Sequence, residues 1–196
     1  MKIIRLVFGL MLLLTTTQLF ADPVTLTFTE LSARPAHGVG IGGVTFGFTI
    51  NGQASTQATY GGTLPGSTAN VQPPALVGST QGILSLNFTG ATTGLSFAVA
   101  FNSFNTLNPG LTVQLFDGSL RPISTVNVNA LSTTSFTQAL FSSSALIGRV
   151  IITFNPNVTT FALDNLTFNP VPEPTALLLL GSGLAALAAL TKKRKK

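Results

Sequence analysis

Apolar side chains recur at every second position through most of residues 22–170, a spacing that calls for strands and leaves no room for a long helix. Val24, Leu26 and Phe28 alternate with Thr25, Thr27 and Thr29. Val44, Phe46, Phe48 and Ile50 alternate with Thr45, Gly47 and Thr49, and the run stops at Asn51-Gly52, a strong two-residue turn signal. The same alternation marks residues 84–89, 95–101, 111–116, 123–128, 136–141, 150–154 and 161–168. The link from Gly90 to Gly94 reads as a hairpin, and Asp117-Gly118 as the turn that ends the run before it. β-branched and aromatic residues fill the apolar positions, as a pleated surface favours. Strands of this length, joined by Gly, Asn and Pro turns, predict an all-β fold: an antiparallel β-sandwich, jelly-roll-like. Residues 51–82 break the pattern with Gly61-Gly62, Pro65 and Pro73-Pro74, and read as a long loop with at most a short edge strand.

Charge separates this body from the two ends. The formal net charge is +5, yet Lys2 and Arg5 lie in the first residues and five cations lie after Leu190. Between them, Arg34, Arg121 and Arg149 face Asp22, Glu30, Asp117, Asp164 and Glu173, so the middle is net acidic. A basic balance ordinarily raises nucleic-acid binding, but a body without a basic patch excludes it. Cysteine is absent, which excludes a disulfide framework and thiolate chemistry. A span of about 150 residues buries roughly two-thirds of its unfolded surface, enough for one core and too little for two domains.

At the N-terminus, Lys2 and Arg5 precede an apolar run from Leu6 to Leu14, and Leu19-Phe20-Ala21 follows a polar stretch. This reads as a secretory signal peptide, residues 1–21, with cleavage expected after Ala21 by signal peptidase. An uncleaved anchor is the alternative. At the C-terminus, Thr175 to Leu190 carries no charged side chain. As a helix it rises roughly 24 Å, near the lower limit for a single transmembrane span. Lys192, Lys193, Arg194, Lys195 and Lys196 hold the C-terminus in the cytoplasm by the positive-inside rule. Pro172 and Pro174 stiffen the chain around Glu173, just before the helix. Read physically, a plain single-span anchor behind a proline linker and a processed signal are both open.

Val171-Pro172-Glu173-Pro174, the short Leu/Ala helix with Gly181-Ser182-Gly183, and the basic end together resemble the PEP-CTERM sorting signal of Gram-negative bacteria. The resemblance covers residues 171–196. It implies recognition by an exosortase, an integral-membrane cysteine protease that removes the helix and passes the body to the cell surface or extracellular matrix. It also implies a transient stay in the inner membrane and a setting in which exopolysaccharide is made.

Within the body, candidate chemistry is sparse. His37, the single histidine, sits in a glycine-rich stretch, and no Gly-x-Ser-x-Gly elbow accompanies it. Gly38 to Gly43 opens no helix and is followed by no Walker lysine, so it reads as a loop. Zinc lacks ligands, no cofactor is called for, and calcium has little to hold it. Asp117 reads as a turn residue. Asp164 and Asn165 interrupt the last strand, either as a bulge or as a contact for calcium or a glycan. Glycoside hydrolysis needs two facing carboxylates, and only Glu30, Asp117 and Asp164 supply them inside the body. Sugar stacking favours Trp or Tyr; the chain has no Trp and only Tyr60, while its fifteen Phe residues read as core. The expectation is an exported, non-enzymatic surface or matrix protein with a structural or adhesive role. The alternatives are a carbohydrate-binding module using Tyr60, Asp164 and residues 51–82, and, more remotely, a glycan hydrolase.

Overall fold

Strands β1 to β13 form the body, all antiparallel, in a computed structural model that describes residues 22–64, 67–133, 136–171 and 181. They are β1 (Val24–Leu26), β2 (Arg34–Pro35), β3 (Gly40–Ile41), β4 (Val44–Ile50), β5 (Gln53–Ala54), β6 (Ala58–Gly62) and β7 (Ala75–Ser79). Then come β8 (Ile83–Phe101), β9 (Leu107–Phe116), β10 (Pro122–Ala130), β11 (Thr137–Ser143), β12 (Ile147–Phe154) and β13 (Thr160–Pro170). Among the described residues no helix is long and apolar enough to cross a membrane, and the expected tail helix lies outside them but for Gly181.

The 19-residue β8 organises everything else. Its first half, residues 83–92, pairs with β4 on one side and β12 on the other. Its second half, residues 92–101, pairs with β11 and β13. One hydrogen-bonded sheet therefore folds over along β8 into two layers. The first runs β10-β9-β12-β8-β4, with β3 and β5 added to β4. The second runs β11-β8-β13-β7-β6-β2, and β1 replaces β7 along the far half of β13. The hairpin expected at Gly90 to Gly94 is thus absent. Both glycines have positive φ (78° and 61°), and they bend one continuous strand between layers instead of reversing it. Thr92, buried at the crossing, ties it down by donating its hydroxyl to the Asn169 carbonyl at 2.9 Å.

Alternation decides which faces meet. Phe46, Phe48, Leu84, Leu86, Val150 and Ile152 of the first layer and Leu95, Val99, Phe161 and Leu163 of the second share one buried cluster. The turn at Asn51-Gly52 forms as its sequence predicts, with φ of 52° and 77° between Ile50 and Gln53. Asp117 likewise stays in its turn, its Oδ1 accepting from the Ser119 and Arg121 N–H groups. Residues 51–82 are more ordered than expected. β6 and β7 are paired strands of the second layer that mix Gly and Ala with Tyr60, Leu76 and Val77, and Ala58 and the ring of Phe161 leave no room for a side chain at Gly78. The glycines and alanines among them hide both strands from a reading by composition.

Candidate functional site

The interruption at Asp164-Asn165 is a β-bulge. Asp164 pairs with Ala98 and Thr167 with Ser96, so β13 carries one residue more than β8 between these pairs. Asn165 adopts φ of 54°, a conformation that Asn tolerates better than most residues. On the other edge of β13, β7 stops at Leu163 and β1 begins at Leu166. The segment around Asn70 and Gln72 fills this gap.

Asp164 is only 4% exposed, yet both of its oxygens are used. Oδ2 accepts the Gln72 N–H at 3.0 Å, and Oδ1 accepts the Asn165 N–H at 2.7 Å. The Asn165 amide nitrogen donates to the Asn70 carbonyl at 2.9 Å. Burial pushes the Asp164 carboxyl above its ordinary range; the two N–H groups oppose this, and the charge of Glu30 adds to it. Beside the bulge, an open groove of about 480 Å³ is lined by Asn70, Asn165, Ser96, Ser142 and Thr167, with Leu140 on its rim. Val71 holds the overlying segment down, packing with Ala75, Ala98, Ala100 and Ala162. The arrangement presents amides and hydroxyls over a small-residue sheet face, suited to hydrogen-bonding a polar ligand.

Tyr60 is not available for stacking. Its ring is fully buried against Phe28 and Phe46, at centroid distances of 5.0 and 5.7 Å. Its hydroxyl donates to Glu30 Oε2 at 2.6 Å, while Glu30 Oε1 accepts the Thr27 N–H at 2.7 Å. Burial, then the Glu30 carboxylate, raise the Tyr60 hydroxyl above its usual range. For Glu30, burial acts upward, but the bonds from Tyr60 and Thr27 outweigh it and hold the carboxyl low. Tyr60 is buried because β6 is no loop or edge strand but is paired with β2 on one side and β7 on the other.

His37 Nδ1 lies 2.9 Å from the Phe48 carbonyl oxygen and 3.1 Å from the Phe48 nitrogen, so the ring extends the pairing of the β4 edge. Among the described residues, no three of His, Asp and Glu gather closely enough to hold a metal ion. Glu30 is engaged with Tyr60, Asp117 with its own turn and Asp164 with the bulge. Val171 donates its N–H to the Ala91 carbonyl at 2.8 Å. Pro172, Glu173, Pro174 and the five cations Lys192, Lys193, Arg194, Lys195 and Lys196 lie outside the described residues.

No curated protein matches the chain. Among solved structures, it is similar to a family 29 carbohydrate-binding module, at 10% identity over 76% of this chain and 90% of that one, with a TM-score of 0.37. A second is the C-terminal family 22 carbohydrate-binding module of Clostridium thermocellum Xyn10B, at 12% identity over 76% and 93%, with a TM-score of 0.41. Likeness this slight carries no argument about a ligand. The match to a family is confined to the end of the chain: residues 170–195 are a PEP-CTERM protein-sorting motif, consistent with an exosortase substrate.

Proposed function

We propose that this chain is an exported protein whose jelly-roll-like body has a non-catalytic, structural or adhesive role at the cell surface or in the extracellular matrix. The observation that carries the reading is the sorting motif at residues 170–195, beginning where β13 ends at Pro170. Residues 1–21 direct secretion and are removed by signal peptidase. Pro172, Glu173 and Pro174 present the recognition element to an exosortase, the helix that follows retains the chain in the inner membrane, and Lys192 to Lys196 keep its end cytoplasmic. Intact-mass measurement of protein recovered from cells and medium tests this. Loss of both termini is the expected result; a recovered protein that keeps its basic end overturns processing in favour of a plain anchor.

A second reading, a module that holds a saccharide, is favoured by the open groove beside Asn165 and Asn70. Here Asp164 positions the bulge while Asn165 and the hydroxyls of Ser96, Ser142 and Thr167 meet the ligand. A glycan array with and without calcium tests it, and binding at background level under both conditions removes it.

A further inference from the structure

The register of the first layer assembles, on its outer face, a polar surface that no single strand reveals. Asn87 of β8 pairs with Arg149 of β12, and Arg149 pairs in turn with Phe116 of β9. Each flanks a core residue: Leu86, Val150 and Leu115 point inward, so these three side chains stand together on the opposite face. Neighbouring strands lie about 5 Å apart, which makes this a row across the sheet. A second row, about 7 Å along the strands, brings Ser85, Ile151 and Gln114 side by side. A hollow of about 360 Å³, bordered by Asn87, Gly118, Leu120 and Gly148, opens at the end of the first row.

Arg149 is the anomaly in this surface. Its Nε is shut off from water and has no hydrogen-bond partner, and among the described residues nothing pairs with its guanidinium. The nearest carboxylate in sequence register, Asp117, is turned into its own turn by Ser119 and Arg121. A buried N–H without a partner is costly, and a planar guanidinium is matched best by a carboxylate or similar oxyanion. Around it stand hydroxyls and amides that suit the hydroxyls of a sugar, and the apolar surfaces of Phe116 and Ile151 that suit the C–H face of a ring. An acidic peptide fits less well. β8 and β12 have both edges paired over this stretch, so the face offers no free main-chain groups to an extended peptide.

We propose that the outer face of the first layer, centred on Arg149, binds a carboxylate-bearing glycan chain lying across the strands. This site lies on the other layer from the groove beside Asn165. It rests on the surface role only for where such a ligand is met, since binding is read on purified protein and its failure leaves export, read by mass, untouched.

The test is affinity electrophoresis of the protein as recovered from cells, with polygalacturonate, neutral dextran and polyglutamate as probes and melting curves in parallel. The wild type is expected to bind polygalacturonate at least about tenfold more tightly than dextran, and less tightly as salt rises. Arg149→Gln should weaken binding roughly ten- to hundredfold, the worth of a charge-assisted hydrogen-bonded pair. Arg149→Lys should fall between, and Arg34→Gln, on the other layer, should leave binding unchanged. Equal binding by Arg149→Gln and wild type overturns the proposal, as does equal retention by dextran. Tighter binding of polyglutamate overturns it in favour of an acidic peptide. If the Arg149 variants do not fold, Asn87→Ala decides: unchanged affinity in that variant counts against the site.

Discussion

Truncating Phe161 should be far more damaging than truncating Phe104, although the sequence presents both as apolar residues in a phenylalanine-rich chain. Phe161 is fully buried at the start of β13, its ring stacked on Phe154 of β12 at 3.8 Å and 11°, and tilted against Phe48 of β4 at 6.2 Å. It therefore joins the second layer to two strands of the first. Phe161→Ala removes a whole ring from a closed core, a change that costs about 3–5 kcal/mol, including the aromatic pairing. Against a total stability of about 5–15 kcal/mol, that is a large fraction. At roughly 2–4 °C per kcal/mol for a domain of this size, the melting temperature should fall by about 6–20 °C. Phe104 is 68% exposed, and although it stacks on Phe136 at 5.5 Å, its loss should cost under about 1 kcal/mol, or less than about 4 °C. Thermal melts followed by far-UV circular dichroism measure both. Equal shifts for the two variants, or a Phe161→Ala protein melting within about 3 °C of wild type, would refute the shared core.

Two pH-dependent effects should run in opposite directions. Glu30 is held below its ordinary value by its bonds from Tyr60 and Thr27, so its contribution is present above the usual carboxylate range and is lost as pH falls through the folded value. Tyr60→Phe should therefore cost about 1 kcal/mol at neutral pH and less at pH near 3; urea melts showing the same gap at both would contradict it. Asp164 has its folded value raised by burial, so the native state binds more protons than the unfolded chain just above pH 3.8. Wild-type stability should then decline relative to Asp164→Asn as pH rises through that window, and a relative gain on raising pH would have the wrong sign.

Alternation made much of the body legible because it reports a local fact, which face of a strand each residue occupies. That sufficed for β4 with its Asn51-Gly52 turn, for the continuous runs that became β9 and β12, and for the interrupted run of β13. It failed where a local signal had two global meanings. Gly90 and Gly94 permit positive φ, which serves a reversal or a bend equally well; the choice lay with β12 and β13, which pair with different halves of β8. It failed again at β6 and β7, where Gly78 is required because a Cβ would sit 2.9 Å from Ala58 and Phe161. Small residues chosen for close approach resemble loop residues in a composition.

The same limit explains why the candidate sites divide as they do. The Asp164-Asn165 bulge announces itself in sequence, since a carboxylate and an amide inside an apolar run break the period of two. The Arg149 row does not. Asn87, Phe116 and Arg149 each occupy an unremarkable outward position, and their neighbours in sequence say only that they face away from the core. What joins them is register, set by strand pairings between residues 62 and 33 positions apart. A shift of one residue in β12 would turn Arg149 into the core beside Leu115 and Leu86, at a cost no partner there could offset. The inward pairing of Val150 and Ile152 thus fixes the outward row: the apolar core decides where the cation stands, and the face around Arg149 follows from packing on the other side of the sheet.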